Sequence, residues 1–347
     1  MNVKKLAMVV AISFLLVGCK EAKKEKKVDN VNTTYNISDS YYRIASPYKG
    51  SVTGNYVANT IKNKYDLQEV ETGLMRISTK YFSKEKTFYQ KGQYLNTEDV
   101  KHLLSQEGLN NNEATTIDGQ NVVPNYVSYV YEEDYLKENG DLKGISVALV
   151  LNPYQNIGNA TVRQTDEVLA TEGAAKAKTL IEYLRKKEGL EKTPIVIALY
   201  FQNKENAILP GNFAYETMTS DKKVPEFNKV NEKYYLMLSS ELADADLMSY
   251  NAIVDLEKQL KEIMPQIAMM SKGLYIDNTL TQLKIEATIT SDGVNEVLAV
   301  SQVISNQITS AFAKTSSVKG IVRYDNQVKS VIVKNENQPE IYLVDEN

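Results

Sequence analysis

Ile-Ser-Val-Ala-Leu-Val-Leu at residues 145–151 and Ile-Val-Ile-Ala-Leu-Tyr-Phe at residues 195–201 bracket a long stretch of helical spacing, and these three pieces decide the fold class. Each apolar run is short and β-branched, which reads as a strand. Between them, from about Thr165 to Lys187, Val168, Leu169, Leu180, Ile181 and Leu184 form an apolar stripe, so a helix connects one strand to the next. An Asn-Lys-Glu-Asn turn follows Phe201 and leads to a short extended piece around Asn212 to Glu216.

The same order recurs downstream. Lys284 to Thr290 alternates as a strand, and Val297, Val300, Ile304, Ile308 and Ala311 share one helix face. Ile321 to Tyr324 and Val328 to Val333 are then strands around an Asp-Asn-Gln turn, and Ile341 to Val344 closes the chain. Strand, long helix, strands therefore occurs twice, which predicts an internal duplication. Each half also carries earlier helices. Asp66 to Phe82 has apolar residues at Leu67, Val70, Leu74, Ile77 and Tyr81, and Asn96 caps a shorter helix from Thr97 to Leu104. Asp246 caps a helix striped by Leu247, Tyr250, Ile253, Leu256, Leu260 and Ile263. The break between halves falls in Thr219 to Val230, where Thr-Ser-Asp-Lys-Lys-Val-Pro is largely polar and ends in a proline. The expectation is an α+β chain with two related domains, 41–217 and 231–347, each an antiparallel or mixed sheet packed by helices on one side.

Ahead of the folded part stands an export signal. Lys4 and Lys5 give a positive start, Leu6 to Val17 is apolar except for Ser13, and Leu16-Val17-Gly18-Cys19 closes the run. The run is too short to span a bilayer, which takes about 20 residues. A leucine, a freer residue, a small residue and a cysteine form a lipobox: Leu16, Val17 and Gly18 present the cleavage site, and the Cys19 thiol takes a diacylglycerol. Residues 1–18 thus read as a lipoprotein signal peptide and 19–40 as the lipidated cysteine and a flexible tether. The tether begins Lys20-Glu21-Ala22-Lys23-Lys24-Glu25-Lys26-Lys27 and cannot bury enough apolar area to offset its ordering entropy. That charge run is either a weak second membrane anchor or simply solvated.

Cys19 is the one cysteine of 347 residues, so no thiol remains for a disulfide, a zinc cluster or a catalytic nucleophile. The formal charge is -4, and without Lys4 and Lys5 it is -6, 38 basic residues against 44 acidic. A chain of that sign gives no electrostatic reason to expect nucleic acid as a partner. Neither G-x-G-x-x-G nor a Walker-type lysine motif occurs, and no cofactor is expected.

Gly73-Leu74-Met75-Arg76-Ile77-Ser78, then Lys80-Tyr81-Phe82, then Gln90-Lys91-Gly92-Gln93-Tyr94-Leu95, together with the lipobox and the two-repeat layout, resemble the CamS-type sex pheromone lipoproteins of Gram-positive bacteria. The resemblance implies a lipoprotein on the extracellular face of the cell membrane, held by diacylglyceryl Cys19 and handled by lipoprotein-processing enzymes. It also implies that the signal peptide can be trimmed to a hydrophobic peptide sensed by cells carrying a conjugative plasmid. In members with that activity the peptide begins Ala-Ile-Phe-Ile-Leu-Ala. The comparable stretch here, Ala11-Ile12-Ser13-Phe14-Leu15-Leu16-Val17, shares the opening Ala-Ile and then departs.

Catalytic equipment is sparse. The single histidine, His102, sits beside Leu103 and Leu104 without a serine context and reads as a surface or boundary residue. Glu241, Asp244 and Asp246 could gather around a hard cation, yet aspartates at a helix start read first as caps, and no metal site is expected. Glu132-Glu133-Asp134 could pair carboxylates for glycoside hydrolysis, but neighbours on a strand point to opposite faces, so the trio reads as a solvated strand end. The 23 tyrosines with no tryptophan suit sugar or peptide contact as well as strand formation. The favoured reading is a non-enzymatic binding module for an unidentified extracellular ligand. The alternatives are a solute-binding lipoprotein of an uptake system, which would call for parallel sheets of alternating strands and helices, and an extracellular hydrolase.

Overall fold

The computed structural model describes residues 42–53, 61, 63–334 and 338–344. The signal peptide, lipobox and tether expected over residues 1–40, with Ala11–Val17 and Cys19 among them, lie outside the described residues.

The first part of the chain runs β1 (Arg43–Ile44), α1 (Lys64–Ser78), β2 (Phe88–Lys91), α2 (Thr97–Leu104), the hairpin β3 (Thr115–Ile117) and β4 (Gln120–Val122), β5 (Val127–Leu136), β6 (Leu142–Leu151), the hairpin β7 (Tyr154–Ile157) and β8 (Ala160–Arg163), α3 (Asp166–Leu184), β9 (Ile195–Phe201), β10 (Asn212–Thr219) and β11 (Asn228–Lys229). The second part runs β12 (Glu232–Leu236), α4 (Ser240–Ala245), α5 (Leu247–Ile263), β13 (Ala268–Ile276), β14 (Thr279–Thr288), α6 (Val294–Ala311), β15 (Ser317–Tyr324), β16 (Gln327–Lys334) and β17 (Glu340–Leu343). The strands form a seven-stranded sheet in the order β1-β2-β5-β6-β9-β10-β11 and a six-stranded sheet in the order β12-β13-β14-β15-β16-β17.

Both sheets are mixed. In the first, β5 and β6 are antiparallel, β6 and β9 parallel, and β9 and β10 antiparallel. In the second, β13 and β14 are antiparallel, β14 and β15 parallel, and β15 and β16 antiparallel. The β6–β9 and β14–β15 parallel pairs are joined through helices, α3 and α6, because parallel neighbours need a crossover rather than a tight turn, and β1 also pairs parallel to β2. The antiparallel hairpins of the second sheet close on Asp277-Asn278 and Asp325-Asn326, all four residues at positive φ, where aspartate and asparagine are the side chains that settle most readily.

Helices cover both faces of the first sheet, not one as the pattern led us to expect. Ser78 of α1 meets Ser146 of β6 at 2.5 Å, and Tyr200 donates to Asp66 of α1 at 2.7 Å. On the opposite face a Cβ on Gly173 of α3 would come within 2.8 Å of Leu151 and Leu199, and Asp99 of α2 pairs with Lys187, just past α3, at 2.6 Å. Burial on both faces is why β6 and β9 read as unbroken apolar runs. β14 alternates instead: Leu283, Ile285 and Ala287 are buried beneath α5 and α6, whereas Gln282, Lys284 and Glu286 point the other way. The second sheet therefore has one helix-covered face and one open face.

The helices are set by local signals. Asn63 accepts the backbone N–H of Tyr65 and of Asp66 and opens α1. That helix ends at Ser78 rather than Phe82, since Tyr81 turns away to donate to Glu216 and Phe82 stacks on Tyr135. Asn96 and Asp99 make a reciprocal capping box at α2, and Thr165 caps α3. The two sheets meet at α1 and β12. Arg76 donates to both carboxylate oxygens of Glu232, at 3.0 and 2.7 Å, and to Glu69 at 2.6 Å, while Tyr234 donates to the other oxygen of Glu69.

Candidate functional site

A cleft of about 420 Å³ opens where α3 passes β9 and β10, near the β11 edge of the first sheet. Its wall is one side of α3, where Ala170, Thr171 and Ala174 succeed one another at helical spacing with Lys178 a turn further on. The small side chains leave the room that larger ones would fill. Leu199 and Tyr215, directly paired across β9 and β10, form the floor. The strap Val224-Pro225-Glu226-Phe227, which leads into β11, forms the far side. Val224 and Phe227 hold the strap down by packing on the first core.

The lining decides what the cleft can do. Its surface is mostly apolar, with one lysine and one carboxylate, Lys178 and Glu226, at the rim. The Thr171 hydroxyl is already committed to the Glu167 carbonyl at 2.9 Å. No pair of nucleophile and base lines it. The volume lies in the range of ligand pockets, and the chemistry fits an apolar side chain or short apolar peptide whose polar ends meet the rim charges.

The residues singled out from sequence lie elsewhere. His102 is exposed on α2, its ring 5.8 Å from that of Tyr183. Asp246 caps α5 by accepting the Ser249 N–H at 3.1 Å, and it accepts the Tyr275 hydroxyl at 2.9 Å. Glu241 pairs with Lys233 on the surface. Among the described residues, no group of His, Cys, Asp and Glu is placed to hold a metal ion.

Glu132-Glu133-Asp134 is not a solvated strand end: all three are buried in β5, which lies inside the sheet between β2 and β6. Glu132 accepts the backbone N–H groups of Tyr94 and Leu95 at 3.0 and 2.7 Å, and Asp134 accepts that of Gln93 at 3.1 Å. These carboxylates fasten the loop Gly92 to Leu95 onto the sheet. Burial, and then the neighbouring Glu132 charge, push the Asp134 carboxyl well above its usual range. Glu133, on the opposite face, is pushed up by burial and accepts the Tyr135 hydroxyl at 2.8 Å.

The segments that carried the resemblance do structural work. A Cβ on Gly73 would come within 2.6 Å of Phe213. Arg76 bridges the two sheets. Gln93, Tyr94 and Leu95 are the residues whose N–H groups the buried carboxylates hold. The cleft itself is not legible in the sequence, since Val224 to Phe227 reads as an interdomain break and the alanines of α3 as ordinary helix formers.

A two-sheet α+β body with a small apolar cleft and a helix-bridged parallel pair in each sheet is the fold class that these observations define. The family model described as the CamS sex pheromone cAM373 precursor matches residues 48–340, and the chain belongs to that family. The fold is similar to that of a sex pheromone precursor from Lactobacillus salivarius, with a TM-score of 0.79 and 23% identity over 90% of this chain and 98% of that one. It is also similar to the C-terminal domain of the sex pheromone staph-cAM373 precursor from Staphylococcus aureus, with a TM-score of 0.71 and 22% identity over 84% of this chain and 100% of that one. A search of curated proteins finds no match. Among the described residues, no helix is long and apolar enough to cross a membrane.

Proposed function

We propose that this precursor has two products. Cleavage at Leu16-Val17-Gly18 leaves the body anchored through diacylglyceryl Cys19 on the extracellular face of the membrane, and the released signal peptide is trimmed to a hydrophobic signal drawn from Ala11 to Val17. The observation that carries this reading is the family match over residues 48–340 behind a lipobox that holds the sole cysteine. The body is a non-enzymatic binding module that uses the cleft beside α3. The shared connectivity of β5-β6-α3-β9-β10 and β13-β14-α6-β15-β16 supports an origin of the body by duplication.

Three measurements test it. Palmitate labelling of expressing cells is expected to vanish in Cys19→Ser, and labelling that persists overturns the anchor. Synthetic peptides beginning at Ala11 and ending at Leu16, Val17 or Gly18 are expected to induce clumping or plasmid transfer in responsive cells, and silence from all three removes the signalling role. Ala174→Phe fills the cleft and is expected to abolish capture from an apolar peptide library, with the fold intact by circular dichroism. Unchanged capture excludes the cleft.

A further inference from the structure

The open face of the second sheet carries a charge arrangement that a merely solvated surface does not need. Lys272 of β13 is directly paired with Lys284 of β14, and Lys284 with Lys319 of β15, so three lysines stand side by side across adjacent strands. Strands lie about 4.8 Å apart, and like charges placed directly opposite one another destabilise a sheet. Glu286 pairs with Lys284, and neither Lys272 nor Lys319 has a carboxylate within ion-pair distance among the described residues. Glu340 of β17 lies beyond the row, opposite Val333. Arg323 stands further along β15, opposite Thr288.

Lys272 is recessed as well as unpaired. It is half-buried, its ammonium lies 4.2 Å from the centre of the Tyr65 ring, and Lys64 lies 5.1 Å from the same ring. The first turn of α1 thus rises as a wall at the β13 end of the row. In a chain with a net charge of -4, Lys272, Lys284 and Arg323 gather around Glu286, and Glu69 and Lys64 also act on Lys272. Burial and the neighbouring Lys284 charge hold the Lys272 ammonium below its ordinary range, and a bound anion would offset the Lys284 repulsion.

We propose that this face binds a linear phosphate-bearing polyanion laid along Lys272, Lys284 and Lys319, with the Lys64–Tyr65 turn at one end. Ammonium groups suit phosphate as compact point charges. The Tyr65 ring packed on Lys272 marks one end of the row.

The test uses inorganic polyphosphate as the probe and the full chain in titration calorimetry over a range of salt concentrations. The expected result is binding whose affinity falls with salt. Lys272→Gln, Lys284→Gln and Lys319→Gln combined is expected to weaken it by about tenfold or more, with the log–log salt slope reduced by about 2, roughly 0.7 for each phosphate that no longer meets an ammonium group. The urea midpoint of that variant is expected to change little, because the like-charge repulsion removed is set against loss of the Lys284–Glu286 pair and the Lys272–Tyr65 contact. Lys319→Gln alone, at an exposed position, gives a smaller decrease in the same direction and serves if the triple variant misfolds. A control variant, Lys222→Gln, Lys223→Gln and Lys229→Gln combined, is expected to bind as the parent does. The proposal is overturned by absence of polyphosphate binding at low salt, by an equal decrease in the control, or by a lysine-row dependence seen only with phosphatidylglycerol vesicles.

Discussion

Arg76→Ala is expected to be among the most destabilising single changes outside the two cores. The guanidinium joins α1 to β12 with two bonds to Glu232 and one to Glu69. Its side chain is 21% exposed, and those of Glu69 and Glu232 are 6% and 5% exposed. Removing the cation leaves two buried carboxylates without it, and breaking a buried pair from one side costs about 3–5 kcal/mol. Domains are stable by only about 5–15 kcal/mol, so a large share of the total is at stake. At about 2–4 °C per kcal/mol, the thermal midpoint should fall by roughly 10 °C. Urea unfolding followed by far-ultraviolet circular dichroism and tyrosine emission reads the change. Replacing all three partners, Arg76→Met with Glu69→Gln and Glu232→Gln, should recover most of it, since the cost lies in unpaired charge rather than in missing attraction. A destabilisation below about 1 kcal/mol for Arg76→Ala would refute the reasoning, and so would a triple variant no better than the single one.

Three further outcomes follow from hydrogen-bonded carboxyl groups. Burial pushes the Asp66 carboxyl up to about 6, against the pull of its bonds from Gly211, Tyr200 and Asn203. The folded state therefore holds this proton more tightly than the unfolded chain does, and the stability it contributes is full below about pH 4 and is lost as pH rises through about 6; Asp66→Asn should flatten that part of the pH–stability curve, and an unchanged slope would contradict the assignment. Glu133→Gln should remove a stability contribution that declines as pH rises, because burial holds the Glu133 carboxyl above its usual range; a pH–stability curve from urea unfolding that keeps its slope in the variant would contradict this. Asp246→Ala should cost about 1–2 kcal/mol by removing the α5 cap and the acceptor of Tyr275, measured by the thermal midpoint, with Asp246→Asn recovering part of it.

The trio Glu132-Glu133-Asp134 shows where local reading fails. Charged residues on a strand are ordinarily at the surface, and nothing nearby in sequence shows that β5 will be enclosed by β2 and β6 or that the loop Gly92 to Leu95 will bring three N–H donors to the carboxylates. The partners lie about 40 residues away along the chain. The lysine row is hidden for the same reason. Lys272, Lys284 and Lys319 are spread along the sequence, and only strand register sets them side by side.

What the sequence by itself determined was whatever depends on neighbours in the chain: the caps at Asn96 and Asp246, the apolar stripes of α3, α5 and α6 apart from the exposed Val168, Leu247, Ile263 and Ala311, the unbroken runs of β6 and β9, the alternation in β14, and the family resemblance. Those follow from local hydrogen bonding and from the 3.6 and 2.0 residue periods. Tertiary structure alone decided which faces the helices cover, the Arg76 bridge between sheets, the burial of the β5 carboxylates, and the cleft between α3 and its strap. Each of these depends on residues far apart in sequence meeting in space, where burial and charge pairing are settled by what the fold brings together.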